Sequence, residues 1–180
     1  MGKGCCQDRT SQTLLRGDEF WDDPYISEQL LEAHLDRDRD AASRPHDRID
    51  AEVEWLISAL SLEAGDAILD LGCRPGLYCE RLYDHGMNVT GVDVSQTALD
   101  HARTRAENTG RDITYRRKDY RTLDDDAAFD AVLVNFDFGT FADGDRNEIL
   151  RGVHDALIPD GRFAIRDRGK HLIVIAGQSL

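Results

Sequence analysis

The chain has 180 residues, 41% of them hydrophobic, which suffices for one ordinary core and argues for one structural unit overall. A formal charge of −13 repels phosphate backbones and argues against nucleic acid as a partner; Arg111, Arg116, Arg117 and Lys118 read as a solvated strand end rather than a basic patch. No apolar run approaches the length of a membrane span and no signal-peptide h-region is present, so no membrane association is expected and the expected location is cytoplasmic.

Aspartate greatly outnumbers glutamate, and lysine occurs only at positions 3, 118 and 170. Such a surface suits high salt, which screens its self-repulsion, and it equally suits a GC-rich coding sequence. Of the four cysteines, Cys5 and Cys6 are adjacent and Cys73 and Cys79 stand six apart. Neither spacing matches a zinc knuckle, so no metal is expected and the thiols are read as reduced.

Residues 1–18 are polar and read as loose. Residues 19–61 read as an N-terminal helical lid. Its first helix, 20–36, opens on Phe20 and Trp21 and carries Ile26, Leu30, Leu31 and Leu35 at helical spacing. Its second, preceded by Pro45 and with Asp47 as the expected N-cap, places Ile49, Val53, Leu56, Ile57 and Leu60 on one face. From residue 62 to 180 the pattern becomes alternating strands and helices. Strands are expected at 67–71, 89–94, 113–116, 129–136 and 162–165, and helices at 77–85, 96–108 and 145–157. Ser95 is the expected cap of the second of these helices and Gly110 its stop; Pro159 and Gly161 should end the third. Repeated βα units with near-continuous apolar strands predict an α/β fold, a doubly wound, mostly parallel sheet covered on both faces.

In such a sheet ligands bind beyond the carboxyl ends of the strands, near the switch in strand order. The polar residues gather there: Asp70 and Gly72 after strand one, Asp93 at the end of strand two, Asp119 after strand three, Asn135 and Asp137 after strand four. The first strand leads through AILDLGCRPG (67–76) into a helix, a glycine-rich turn that brings backbone close to a charged small molecule at a helix N-terminus. Asp93 follows Gly72 by about twenty residues, the spacing at which an acid accepts both ribose hydroxyls of a nucleoside. A dinucleotide fingerprint needs a glycine at position 74, where this chain has arginine. Asp70 also adds negative charge, which suits a sulfonium and an ammonium better than a pyrophosphate.

These residues resemble the class I S-adenosylmethionine (SAM) dependent methyltransferases, of the small-molecule branch, over about 49–165. ILDLGCRPG (68–76) resembles motif I, whose common form is LDLGCGxG; VTGVDVS (89–95) the second motif; KDY (118–120) the adenine-side acid; FDAVLVNFDF (129–138) the fourth-strand motif; and LIPDGRF (157–163) the turn before strand five. Residues 20–44 resemble the N-terminal lid of that branch. The resemblance implies a Rossmann-like methyltransferase fold, SAM as cosubstrate, no metal, and in-line methyl transfer to a small-molecule acceptor. It implies that Asp70 and the backbone around Gly72 hold the methionine end, Asp93 the ribose, and Asp119 with Tyr120 the adenine, while Asn135 and Phe136 line the transfer side. Cys73, Gly76 and Val94 complete the expected cofactor-binding set by position. No catalytic residue is assigned; Tyr25, His34 and His46 are candidates for a base and Arg44 for an anion contact.

Two departures leave an alternative open. Arg74 replaces the middle glycine of motif I, which predicts weak SAM affinity restored by Arg74→Gly. Family members usually continue after strand five with a helix and two further strands, whereas here 166–170 leads directly to Leu172–Ala176. Residues 171–176 are expected either as a hairpin antiparallel to strand five or, in a truncated protein with a non-native tail, as an exposed apolar edge favouring a homodimer or aggregation. The alternative function is a truncated or degenerate methyltransferase-like protein with weak or no SAM binding that is inactive or acts as an interaction subunit.

Overall fold

The computed structural model describes residues 24–36, 43–135, 138, 141–166 and 172–176. The expectations for residues 1–18, Phe20, Trp21, Phe136 and Asp137 lie outside them. Two helices come first, α1 (Pro24–Leu35) and α2 (His46–Ala59). Then follow β1 (Ala67–Leu71), α3 (Leu77–Asp84), β2 (Asn88–Asp93), α4 (Gln96–Thr109), β3 (Thr114–Arg117), a 3-10 turn (Tyr120–Thr122), β4 (Phe129–Asn135), α5 (Asp143–Ala156), β5 (Leu157–Arg166) and β6 (Leu172–Ala176).

The strands form one sheet in the order β3-β2-β1-β4-β5-β6. β1 through β5 run parallel, and β6 pairs antiparallel with β5, Ala164 opposite Val174. The order reverses at β1, between β2 and β4, so this is the doubly wound Rossmann-like sheet that the alternating pattern predicts, with its switch point at the carboxyl end of β1. The apolar segment 172–176 takes the hairpin alternative.

Strand alternation sorts the core onto two faces. Ile68, Val89, Ala131 and Leu133 point to one face and pack against Ile49, Val53 and Leu56 of α2, Leu82 of α3, and Leu99 and Ala102 of α4. Leu69, Leu71, Val92, Val132 and Val134 point to the other and meet Ile149 and Val153 of α5. Asp70 is in phase with Ile68, so a carboxylate 1% exposed sits on the α2–α4 face of the central strand.

Helix ends follow the expected chemistry at α4, where the Ala98 N–H donates to Ser95 Oγ at 3.3 Å and Gly110 closes the helix at φ 69°. They differ at α2. Its N-cap is Pro45, whose carbonyl accepts from the Arg48 and Ile49 N–H groups at 3.0 Å, while Asp47 lies in the first turn and accepts from the N–H of its neighbour Arg48. Proline costs nothing there because an N-cap N–H is not needed inside the helix. The segment LIPDGRF is also not a loop: β5 begins at Leu157, directly after α5, and carries Pro159, Asp160 and Gly161 as an irregularity where the register to β4 shifts between Phe129 and Ala131. A bulge tolerates the proline and the positive φ of Asp160, 65°.

Candidate functional site

The turn after β1 is built on β2. The Gly72 and Cys73 N–H groups both donate to the Val92 carbonyl, at 2.8 and 3.1 Å, and the Arg74 N–H donates to Asp93 Oδ2 at 2.9 Å. Asp93 Oδ1 accepts from the Ser95 N–H at 2.8 Å. Gly72, Arg74 and Gly76 all have positive φ, 76°, 54° and 80°. Arginine therefore stands in the left-handed region that glycine reaches at no steric cost, a penalty of about 1 kcal/mol.

Beneath the turn, two glycines admit one tyrosine. Tyr115 of β3 lies opposite Gly91 in register, and a Cβ on Gly91 would meet its ring at 2.9 Å and Cys73 Sγ at 2.8 Å. A Cβ on Gly76 would meet Tyr115 Oη at 2.3 Å. Gly76 thus serves the packing of Tyr115 under the turn. The mid-strand glycine of VTGVD is the signal that finds this contact, since glycine inside a strand marks close approach of a neighbour.

Beside the turn is an open cleft lined by Asp70, Gly72, Cys73 and Arg74 together with Ser43 and Tyr78. Asp70 Oδ2 accepts from the Cys79 thiol at 3.3 Å. Burial pushes the Cys73 thiol up to about 11; the hydrogen bond with Cys73, then burial and Asp70, hold Cys79 well above its ordinary value. Both sulfurs are buried, uncharged packing groups beside the acid. Tyr78 Oη donates to Glu52 of α2 at 2.6 Å and so ties the cleft wall to the helical layer. On the opposite rim Ser43 Oγ is 2.7 Å from Nδ1 of the buried His34 in α1.

The structure thus gathers Asp70, Gly72, Cys73, Asp93 and, through its backbone, Arg74. Val94 is half-buried just past β2, and its carbonyl accepts from Arg117 Nε at 3.0 Å. Asp119 lies alongside, since the Lys118 N–H donates to the Asp93 carbonyl at 3.1 Å. Its carboxylate, however, caps the 3-10 turn and is clasped by Arg121: Oδ1 accepts from the Arg121 N–H and Nε, and Oδ2 from Nε and Nη2. The Arg121 guanidinium holds the Asp119 carboxyl below the usual carboxylate range. Tyr120 faces the α5 core, its ring edge-on to Phe141 at 5.9 Å, and is a packing residue rather than a wall of the cleft. Asn135 ends β4 opposite Arg166; its side chain lies outside the described residues. Among the candidate bases, Tyr25 is 72% exposed and His34 is buried. Ser43 was not marked by any sequence pattern, because the residues between α1 and α2 have no periodicity to place it; Tyr78 lies in the expected helix 77–85 but carried no signal of a place at the cleft.

A sheet reversing at β1, two buried acids ending its adjacent strands, and a tight turn bridging them define a methyltransferase-type α/β domain. The methyltransferase domain family matches residues 68–161, and the chain belongs to this family of SAM-dependent class I methyltransferases. Among curated proteins it is 36% identical over 103 residues to a ubiquinone biosynthesis O-methyltransferase of Dechloromonas aromatica (strain RCB), covering 56% of this chain and 44% of that protein. It is 28% identical over 155 residues to the ubiquinone biosynthesis O-methyltransferase of Pseudomonas entomophila (strain L48), covering 81% and 64%. The chain spans about half the length of the curated relatives it matches. Among solved structures it resembles a Pyrococcus horikoshii OT3 protein (TM-score 0.66, 25% identity, 77% of this chain and 60% of that one). It also resembles an S-adenosylmethionine dependent methyltransferase from Mesorhizobium loti (TM-score 0.54, 34% identity, 65% and 54%). Among the described residues no helix is long and apolar enough to cross a membrane, and no three His, Cys, Asp or Glu side chains gather as a metal site.

Proposed function

We propose that this chain binds SAM across the carboxyl ends of β1 and β2 and transfers its methyl group to a small-molecule acceptor. The observation that carries this reading is the pair Asp70 and Asp93, 1% and 5% exposed, at the ends of adjacent strands and joined through the motif I turn. Two buried carboxylates suit a ligand carrying ammonium and sulfonium charge and a ribose diol. Asp93 accepts the Arg74 N–H on Oδ2 and the Ser95 N–H on Oδ1, and a carboxylate carries two lone pairs on each oxygen, the acceptor chemistry that a ribose diol requires. Asp70 and the backbone of Gly72 would hold the methionine end, with Cys73 and Gly76 shaping the turn from below. Asp93 and Val94 would border the ribose and Asp119 the adenine.

Bound SAM supplies a methyl group already activated on sulfur. The chain's task is then alignment and exclusion of water rather than bond polarisation. The turn, pinned to Val92 and Asp93, fixes one end of the ligand, and the α1–α2 side closes over the cleft at Ser43. The names of the curated relatives make a hydroxyl on a small organic molecule the first acceptor to try. The charge of −13 argues against a nucleic-acid acceptor, and the β6 edge is where a homodimer would form.

One observation favours a second reading, a family member with weak or no SAM binding. The Asp119 carboxylate is occupied by Arg121, so contact with an adenine amino group requires Arg121 to let go. Incubation with SAM and a pool of hydroxylated small molecules separates the two. The proposed enzyme binds SAM and releases S-adenosylhomocysteine above the acceptor-free rate; weak or absent SAM binding with no turnover on any pool supports the second reading.

A further inference from the structure

The residue that departs most from motif I stands at the cleft itself. Arg74 and Asp70 line the same cavity with opposite charges, and Ser43 presents a hydroxyl on its rim. The Arg74 backbone is pinned by its N–H bond to Asp93 and held at φ 54°, so its side chain leaves the turn in a direction the backbone fixes. That side chain is half-buried, and its positive charge reaches His34 in α1. A guanidinium offers five donors in a planar fork that matches a carboxylate.

We propose that Arg74 is the specificity-determining residue of this cleft: it reads the carboxylate of the ligand's amino-acid end, while Asp70 takes the ammonium. The proposal rests on the SAM reading above. It runs opposite to the expectation from the sequence that Arg74 weakens SAM affinity. A cation among acids repels a sulfonium only if the two approach each other, whereas a zwitterionic amino acid presents both signs a few ångströms apart and matches an Asp–Arg pair. His34 adds no competing charge: burial first, and the Arg74 charge second, lower its pKa to about 3, so it is neutral at working pH.

The test is calorimetric titration of S-adenosylhomocysteine and of its decarboxylated analogue into the wild-type chain, Arg74→Gly and Arg74→Lys. The wild type should prefer the carboxylate-bearing ligand by about tenfold or more, as one charge-assisted bond supplies. Arg74→Gly should lose most of that preference, by weakening S-adenosylhomocysteine and not the analogue, and Arg74→Lys should keep part of it. Glycine suits the backbone at φ 54°, so misfolding does not cloud the comparison. An unchanged preference in Arg74→Gly, or tighter S-adenosylhomocysteine binding, overturns the assignment while leaving the SAM reading intact. Absence of heat for both ligands in all three proteins overturns the SAM reading and the assignment with it.

Discussion

The Arg74 backbone N–H and the Asp93 carboxylate are 2.9 Å apart, donor to acceptor, and this bond joins the motif I turn to the end of β2. Asp93 therefore carries two duties, anchoring the turn and facing the proposed ribose. Asp93→Ala leaves the half-buried Arg74 and Ser95 N–H groups without that acceptor and should cost about 1–2 kcal/mol of stability, read from chemical denaturation. Asp93→Asn keeps one acceptor and should cost less. Equal stability of wild type and Asp93→Ala would show that the turn holds itself.

Tyr115 and Gly76 make opposite predictions from one contact. The Tyr115 hydroxyl is buried with no hydrogen-bond partner among the described residues, so Tyr115→Phe should be neutral or stabilising by up to about 1 kcal/mol. Gly76→Ala adds a Cβ 2.3 Å from that oxygen at φ 80° and should cost about 2 kcal/mol or more. Thermal melts of both variants and of the double variant decide, since losing the oxygen should recover part of the alanine's cost.

How much of this was legible beforehand differs by element. β1, the Ser95 cap and the Gly110 stop follow from local chemistry, and the structure has each where the residues call for it. The Asp70–Asp93 pair was readable because strand phase and the βα spacing place both at strand ends. The engagement of Asp119 was not, because capping a 3-10 turn and clasping Arg121 two residues on is a local choice that spacing cannot distinguish from a free ligand contact. Nor was the role of Gly76, whose partner Tyr115 lies on a different strand.

Arg121 is expected to compete with the adenine for Asp119. Arg121→Ala should tighten S-adenosylhomocysteine several-fold, while costing at most about 0.5 kcal/mol because both side chains are partly exposed. Because Asp119 is depressed in the folded state, the stability it adds is full above its ordinary pKa of 3.8 and fades as pH falls below that value, and Arg121→Ala should remove that fading. Weaker binding in the variant would mean that Arg121 touches the ligand itself.

His34 sets an acid limit. Its folded pKa, about 3, lies below its ordinary 6.5, so the folded state binds fewer protons between these values than the unfolded chain. The stability it contributes is complete above pH 6.5 and is lost as pH falls toward 3, on the order of a few kcal/mol. His34→Asn, which can still bond Ser43, should flatten the fall in stability between pH 6.5 and 4. An unchanged pH profile would place the acid sensitivity elsewhere.

The central claim is that a SAM-type ligand binds across the ends of β1 and β2, and calorimetric titration of S-adenosylhomocysteine into the wild-type chain and Asp93→Asn tests it most directly. The account predicts saturable heat at one site in the wild type and at least about tenfold weaker binding in the variant, from the loss of a charged acceptor for the ribose diol. No heat in the wild type, or equal affinity in both, would contradict it.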